Sequence, residues 1–269
     1  MDSNENSRIQ MVVFDWAGTT VDYASSAPST VFDRVFRAAG IHLAKEEINR
    51  PMGMEKKAHI RELLSCESGT SQWQQIYGKP WTDEDVEELY QKFEKALYQV
   101  VAEYSSPLPG VVETVKLLRQ RGLKIGSTTG YTSQMMEQVI PGAKAQGYEA
   151  DCVVTPDVTG AARPTPFMLF ECMRQMNVYP PSAVVKVGDT VVDMQEGKNA
   201  GAWSIGILLG LSQEEYEAMD PSELKKRKCE AAEIYRQAGA DRIIDSIADL
   251  PAAIDEINGQ LQTRKGAEK

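Results

Sequence analysis

Met11-Val12-Val13-Phe14-Asp15 is an apolar run of strand length that stops on an acid and passes into the turn Trp16-Ala17-Gly18-Thr19-Thr20-Val21-Asp22. A strand with no alternation of polar and apolar positions is buried on both faces, the signature of a parallel sheet covered by helices. The design recurs along the chain. Leu123–Thr129, Cys152–Thr155, Ala183–Val187, Trp203–Leu209 and Arg242–Ile244 read as further strands, and Gly110–Arg121 reads as a helix stopped by Gly122. Alternating strand and helix signals predict an α/β sheet core. Acids and hydroxyls collect where these strands end, which is where open α/β sheets bind ligands.

Residues 25–105 break that rhythm. Val31, Val35 and Ala38 share one helical face with Phe32 and Phe36 beside them. Thr82 reads as the N-cap of a helix carrying Val86, Leu89, Tyr90, Phe93, Leu97 and Val101. The breaker-rich junctions Ser25–Pro28 and Ser105–Pro109 bound the segment. The expectation is an all-helical domain, 25–105, inserted into a core made of 1–24 and 106–269. Trp73, Tyr77 and Trp81 read as interior to the insert, and the polar tail after Gly259 as frayed.

A net charge of −10 argues against nucleic acid and anionic membrane surfaces as partners. An anionic substrate would have to be drawn by a local cation or a metal. The polar start Met1–Arg8 carries no leader-like segment, and no apolar run is long enough to cross a bilayer. Cys66, Cys152, Cys172 and Cys229 show no metal spacing and read as reduced thiols of a cytoplasmic protein.

Four pieces carry chemistry in order: Asp15, Thr128-Thr129-Gly130, Arg163-Pro164, and Gly188-Asp189-Thr190-Val191-Val192-Asp193. Singly each has a plain reading as a helix cap, β-former or surface charge. Together, at successive strand ends, they define a site. A fifth piece lies in the insert, where Pro51-Met52-Gly53 leads into a helix start with Lys56 and His59 three residues apart on one face. Burial and the neighbouring cations Lys57 and Arg50 are expected to lower the Lys56 pKa, as an amine nucleophile requires, while Glu55 would oppose them.

These motifs resemble the haloacid dehalogenase (HAD) superfamily. Within it, residues 9–250 resemble the phosphonatase family, the phosphonoacetaldehyde hydrolases, at Phe14–Tyr23, Pro51-Met52-Gly53 with Lys56 and His59, Gly126–Tyr131, Arg163-Pro164 and Lys186–Thr190. The resemblance implies a Rossmann-like HAD core with a helical cap. It also implies cleavage of the C–P bond of phosphonoacetaldehyde, in 2-aminoethylphosphonate degradation. By that likeness Asp15 is the nucleophile, and Lys56 forms a Schiff base with the aldehyde. Lys57 is the alternative, though the spacing to His59 favours Lys56. Mg²⁺ would be held by Asp15, the Ala17 carbonyl and Asp189. Thr129, Arg163, His59, Met52 and Tyr131 would support the substrate, with Asp193 behind the metal ligands or bracing the loop. Relatives form homodimers, so a homodimer is expected. Where related phosphatases keep a proton-donating Asp, this chain has Ala17. That argues against a phosphomonoesterase or phosphomutase. The presence of Asp15, Arg163 and Asp189 argues against a non-catalytic binding module. Some relatives carry Cys near the Ser25-Ser26 position.

Overall fold

The structure is a computed structural model that describes residues 8–208 and 219–267. Six parallel strands form one sheet: β1 (Met11–Phe14), β2 (Lys124–Thr128), β3 (Cys152–Val154), β4 (Val184–Gly188), β5 (Trp203–Ile207) and β6 (Arg242–Ile244). Their spatial order is β3-β2-β1-β4-β5-β6, with Phe14 in register with Ser127 on one side and Val187 on the other. The order reverses between β1 and β4. That is the crevice in which a doubly wound sheet places its ligand. The strands lie where the sequence pattern puts them, within a residue or two. Leu209, the expected end of β5, lies outside the described residues.

Five helices separate β1 from the next core elements: α1 (Ser26–Ala38), α2 (Lys45–Asn49), α3 (Lys56–Ser65), α4 (Glu67–Tyr77) and α5 (Asp83–Val100). Thr82 caps α5 as its sequence suggests, its hydroxyl accepting from the Asp85 amide while the Asp85 carboxylate accepts from the Thr82 amide. Phe32 of α1 stacks on Phe93 of α5 with ring centroids 4.1 Å apart. Each buried ring of this kind contributes roughly 1.5–3 kcal/mol. Trp73 is interior to these helices, but Tyr77 is exposed because its hydroxyl reaches the Ala39 carbonyl at the surface. Ala38 also lies outside the packed face.

The chain then runs through α6 (Val111–Gln120), α7 (Ser133–Ala145), α8 (Pro156–Thr159), α9 (Phe167–Met176), α10 (Val191–Ala200), α11 (Pro221–Ala238) and α12 (Leu250–Ala267), which flank the sheet. The tail is not frayed after Gly259, since α12 continues to Ala267. Its inner face buries Leu250, Ile254 and Ile257, which anchors the first half of the helix. No described helix is long and apolar enough to cross a membrane.

Candidate active site

Asp15, Thr129 and Asp189 follow the ends of three adjacent strands, β1, β2 and β4, so the sheet itself brings them together. The turn after Asp15 needs glycine. Gly18 has φ +90°, and a Cβ there would lie 2.2 Å from Asp189 Oδ2. That close approach lets the Thr19 hydroxyl donate to Asp189 Oδ1 at 2.7 Å.

Carboxylates of Asp15, Asp189 and Asp193 offer oxygens that all lie within 4.8 Å of one another. Arg163, itself buried, serves three acids with three nitrogens: Nη2 to Asp15 at 2.5 Å, Nη1 to Asp193 at 2.7 Å and Nε to Glu196 at 3.4 Å. Lys186, in the middle of β4, lies 2.9 Å from Asp193 and 3.3 Å from Glu196. Burial raises the Asp15 pKa, opposed by the Arg163 charge. Burial first, and then the charges of Asp15 and Asp193, push Asp189 well up. Among the described residues no cation pairs with Asp189.

The donor set fits a divalent cation. All its atoms are hard oxygens, and four carboxylates (Asp15, Asp189, Asp193, Glu196) face only two basic side chains (Arg163, Lys186). Asp193 is tied to both of those cations and closes the capping box of α10 with Thr190. It therefore braces the loop. Asp15 Oδ2 accepts no hydrogen bond among the described residues. The Ala17 carbonyl accepts from the Ser25 hydroxyl at 2.9 Å, which leaves it a second lone pair.

The two threonines of β2 divide their work. Thr128 donates to Glu196 at 2.9 Å and accepts from Lys186 at 2.9 Å, so it belongs to the buried charge network. Thr129 accepts from the Tyr131 amide at 3.2 Å, and its own hydroxyl proton is free to serve a ligand.

The helices inserted after β1 pack over this floor. Gly53, φ +87°, presses so closely on the core that a Cβ would sit 2.4 Å from Thr190 Oγ1. α3 begins three residues later, N-capped by the Glu55 carboxylate, which accepts from the Lys57 and Ala58 amides. Its first residue, Lys56, is buried with Nζ 5.3 Å from the centre of the Tyr131 ring. Burial lowers its pKa to about 8; Asp15 opposes that shift, Arg163 adds to it, and Glu55 and Asp22 oppose it more weakly. Lys57 and Arg50, expected from the sequence to lower this pKa, do not do so. Lys57 turns outward to Glu87 at 2.7 Å and over the Tyr90 ring, and Arg50 is exposed, so the cation that counts is Arg163 from the core.

His59 is buried one turn further, its ring 4.0 Å from that of Phe32. Burial and the neighbouring Lys56 lower its pKa to about 3, so it is neutral. Its Nε2 lies 2.8 Å from the Ile48 carbonyl, which can only accept. Nε2 therefore carries the proton and Nδ1, without a hydrogen-bond partner, keeps its lone pair. Tyr131 is buried with its hydroxyl unpaired, and burial pushes its pKa well up. Met52 lines a small cavity of about 200 Å³ beside Asp189.

Four participants were not assigned roles from the sequence. Lys186 and Glu196 complete the charge network. Tyr235, from α11, donates to the Asp189 carbonyl. Asp22, pushed up to about 6 by burial, accepts from the Ser26 and Ala27 amides at the start of α1. Two of these carried a readable signal: Lys186 is a charge inside the apolar run Val184-Val185-Lys186-Val187, and Glu196 lies three residues from Asp193 on one helix face.

Residues 9–201 match the haloacid dehalogenase-like hydrolase family. A phosphonoacetaldehyde hydrolase of Bacillus cytotoxicus is 44% identical over 258 residues, 94% of this chain and 98% of the relative. A bifunctional phosphonoacetaldehyde hydrolase/aminoethylphosphonate transaminase of Clostridioides difficile is also 44% identical, over 94% of this chain and 41% of the relative. The crystal structure of a phosphonoacetaldehyde hydrolase-like protein from Oleispira antarctica superposes with a TM-score of 0.90 at 33% identity, covering 94% of each chain. With two strand-end acids and a strand-end hydroxyl on one sheet, a buried arginine against the first acid and a buried lysine on the inserted helices, the chain belongs to the phosphonoacetaldehyde hydrolases of the haloacid dehalogenase-like hydrolase family.

Proposed function

We propose that this protein hydrolyses the C–P bond of phosphonoacetaldehyde to acetaldehyde and phosphate, with Lys56 as imine-forming amine and Asp15 as phosphoryl acceptor. The observation that carries the reading is a buried lysine of lowered pKa over a buried carboxylate, in a site where residue 17 is alanine. Heterolysis of a C–P bond would expel a carbanion, so the chemistry needs an electron sink more than an acid. The neutral Lys56 amine adds to the aldehyde, and loss of water leaves an iminium. Asp15 attacks phosphorus, and the C–P electron pair moves into the iminium to leave a neutral enamine. That leaving group needs no proton from position 17. Protonation of the enamine carbon and addition of water to the resulting iminium release acetaldehyde and regenerate Lys56. A second water cleaves the aspartyl-phosphate.

Arg163 and the Thr129 hydroxyl face the phosphonate oxygens and hold the phosphoryl group in line. His59 Nδ1, whose lone pair has no partner in the protein, would accept a hydrogen bond from bound water or from the substrate-loaded amine. Its low pKa makes it an acceptor that orients water or amine rather than a stored proton. Asp15, the Ala17 carbonyl and Asp189 would hold Mg²⁺, which when bound would neutralise phosphonate charge as a Lewis acid. Residues 25–105 act as a cap that must open to admit substrate, because Lys56 and Asp15 are both buried in the closed form. The reading includes a cytoplasmic homodimer, by resemblance alone. The bifunctional relative, named for both activities, supports a place after transamination of 2-aminoethylphosphonate.

The test is a substrate panel. Phosphonoacetaldehyde should yield phosphate and acetaldehyde one to one, with a kcat/KM far above that for phosphate monoesters. A preference for monoesters would refute the role given to Ala17.

A further inference from the structure

We propose that Arg50 is the electrostatic entry residue for the phosphonate dianion, acting on its capture and not on the chemical steps. The inference rests on the phosphonate-hydrolase reading above. A chain of net charge −10 repels a dianion, and the floor of the site adds Asp15, Asp189, Asp193 and Glu196. The interior cations do not offset this at a distance. Arg163 and Lys186 are buried and spent on those same carboxylates.

The seam between cap and core opens into a cavity of about 200 Å³. From the cap, Asn49, Arg50 and Met52 line it; from the core, Asp189, Thr190 and Tyr235. Arg50 is the one cation among the lining residues. It sits just past the C-terminus of α2, two residues before Met52, and its guanidinium is exposed. Among the described residues it makes no ion pair, only a weak attraction to Glu47. Of the two lysines that follow it on α3, Lys56 is buried and Lys57 is paired with Glu87. So the one cation lining this cavity, exposed and without an ion pair among the described residues, stands opposite an acid of the expected metal set. A charged group at such a mouth concentrates an oppositely charged substrate and raises its association rate, an effect that salt removes.

The alternative is that Arg50 merely complements the end of α2. The two roles part on ionic strength. For the Mg²⁺-loaded enzyme, kcat/KM for phosphonoacetaldehyde should fall as salt rises from about 20 to 300 mM, as screening shortens the reach of the charge. Arg50→Glu should lower kcat/KM about tenfold at the low-salt end, flatten or invert the salt dependence and leave kcat unchanged. Arg50→Lys should behave as wild type, and so should Arg34→Glu, a charge reversal on an exposed face of α1. Binding of inorganic phosphate, followed by calorimetry, gives an arm independent of turnover: Arg50→Glu should weaken it and reduce its salt dependence. An Arg50→Glu enzyme with wild-type salt slope and phosphate affinity overturns the proposal. So does a loss confined to kcat. A wild-type protein that binds phosphate through Arg50 but leaves phosphonoacetaldehyde untouched would instead overturn the functional reading.

Discussion

Lys56 in the cap and the pair Arg163 and Lys186 in the core are all buried, yet they serve opposite ends. In the core, each cation meets two or more carboxylates within ion-pair distance: Asp15, Asp193 and Glu196 around Arg163, Asp193 and Glu196 around Lys186. The Arg163 charge is locked on, its pKa raised by its acids in spite of burial. Lys56 has no ion pair among the described residues. Burial dominates, and its pKa falls to about 8. Equal depth with different counter-ions gives fixed positive charge on the floor of the site and a deprotonable amine on its lid. The phosphonate needs the first and the aldehyde needs the second.

The largest effect should come from removing the amine. Lys56→Arg keeps the charge but cannot form the imine, so turnover should fall by about 10⁴-fold or more, the scale seen when a covalent nucleophile is lost. Lys57→Arg, one residue along on the outer face, should retain near wild-type turnover. Steady-state assays of the two variants side by side break the comparison if they come out alike.

The core side is tested by stability. Glu196→Gln leaves Arg163 and Lys186 with one counter-charge fewer, and breaking a buried pair costs about 3–5 kcal/mol. The charge-balanced double variant Glu196→Gln/Lys186→Met should recover much of that in denaturant unfolding. If the single substitution costs nothing, the floor of the site is not held by its charge balance.

A pH series sharpens the contrast. Lys56 must be neutral to attack, so kcat/KM should rise with pH through about 8. Its pKa is lower folded than the ordinary 10.5, so the cost of its buried charge is fully present below about 8 and fades as pH rises toward 10.5. Lys56→Met should therefore unfold at a higher temperature than wild type at pH 7, with the advantage shrinking toward pH 10.5. A destabilised Lys56→Met at pH 7 would mean that the lysine is not under this strain. A smaller effect is expected from Ala17→Asp. It should lose about tenfold on phosphonoacetaldehyde through one more negative charge beside a dianion, and gain weak phosphomonoesterase activity.

The core was the more legible of the two regions. Strands buried on both faces announce themselves as apolar runs, and Asp15, Thr129 and Asp189, each with a plain reading alone, stand out together because they recur where those runs end. The cap was legible as helices through its N-caps and 3.6-residue periodicity. What local sequence does not encode is which neighbour reaches across. Lys57 adjoins Lys56 in the chain and Arg50 lies six residues before it, but the cation that lowers its pKa comes from residue 163. Tyr235 reaches Asp189 from a helix near the other end of the chain. The tail beyond Gly259 reads as polar because only one narrow stripe of α12 is buried, and a stripe anchored at Leu250, Ile254 and Ile257 is enough to carry the helix on to Ala267.

The central claim is that the closed cap delivers one particular amine to the aldehyde, and reductive trapping tests it most directly. Incubation with phosphonoacetaldehyde and borohydride, followed by peptide mapping, should inactivate the enzyme and place a reduced two-carbon adduct on Lys56. An adduct on Lys57, or turnover without any lysine adduct, would contradict the account.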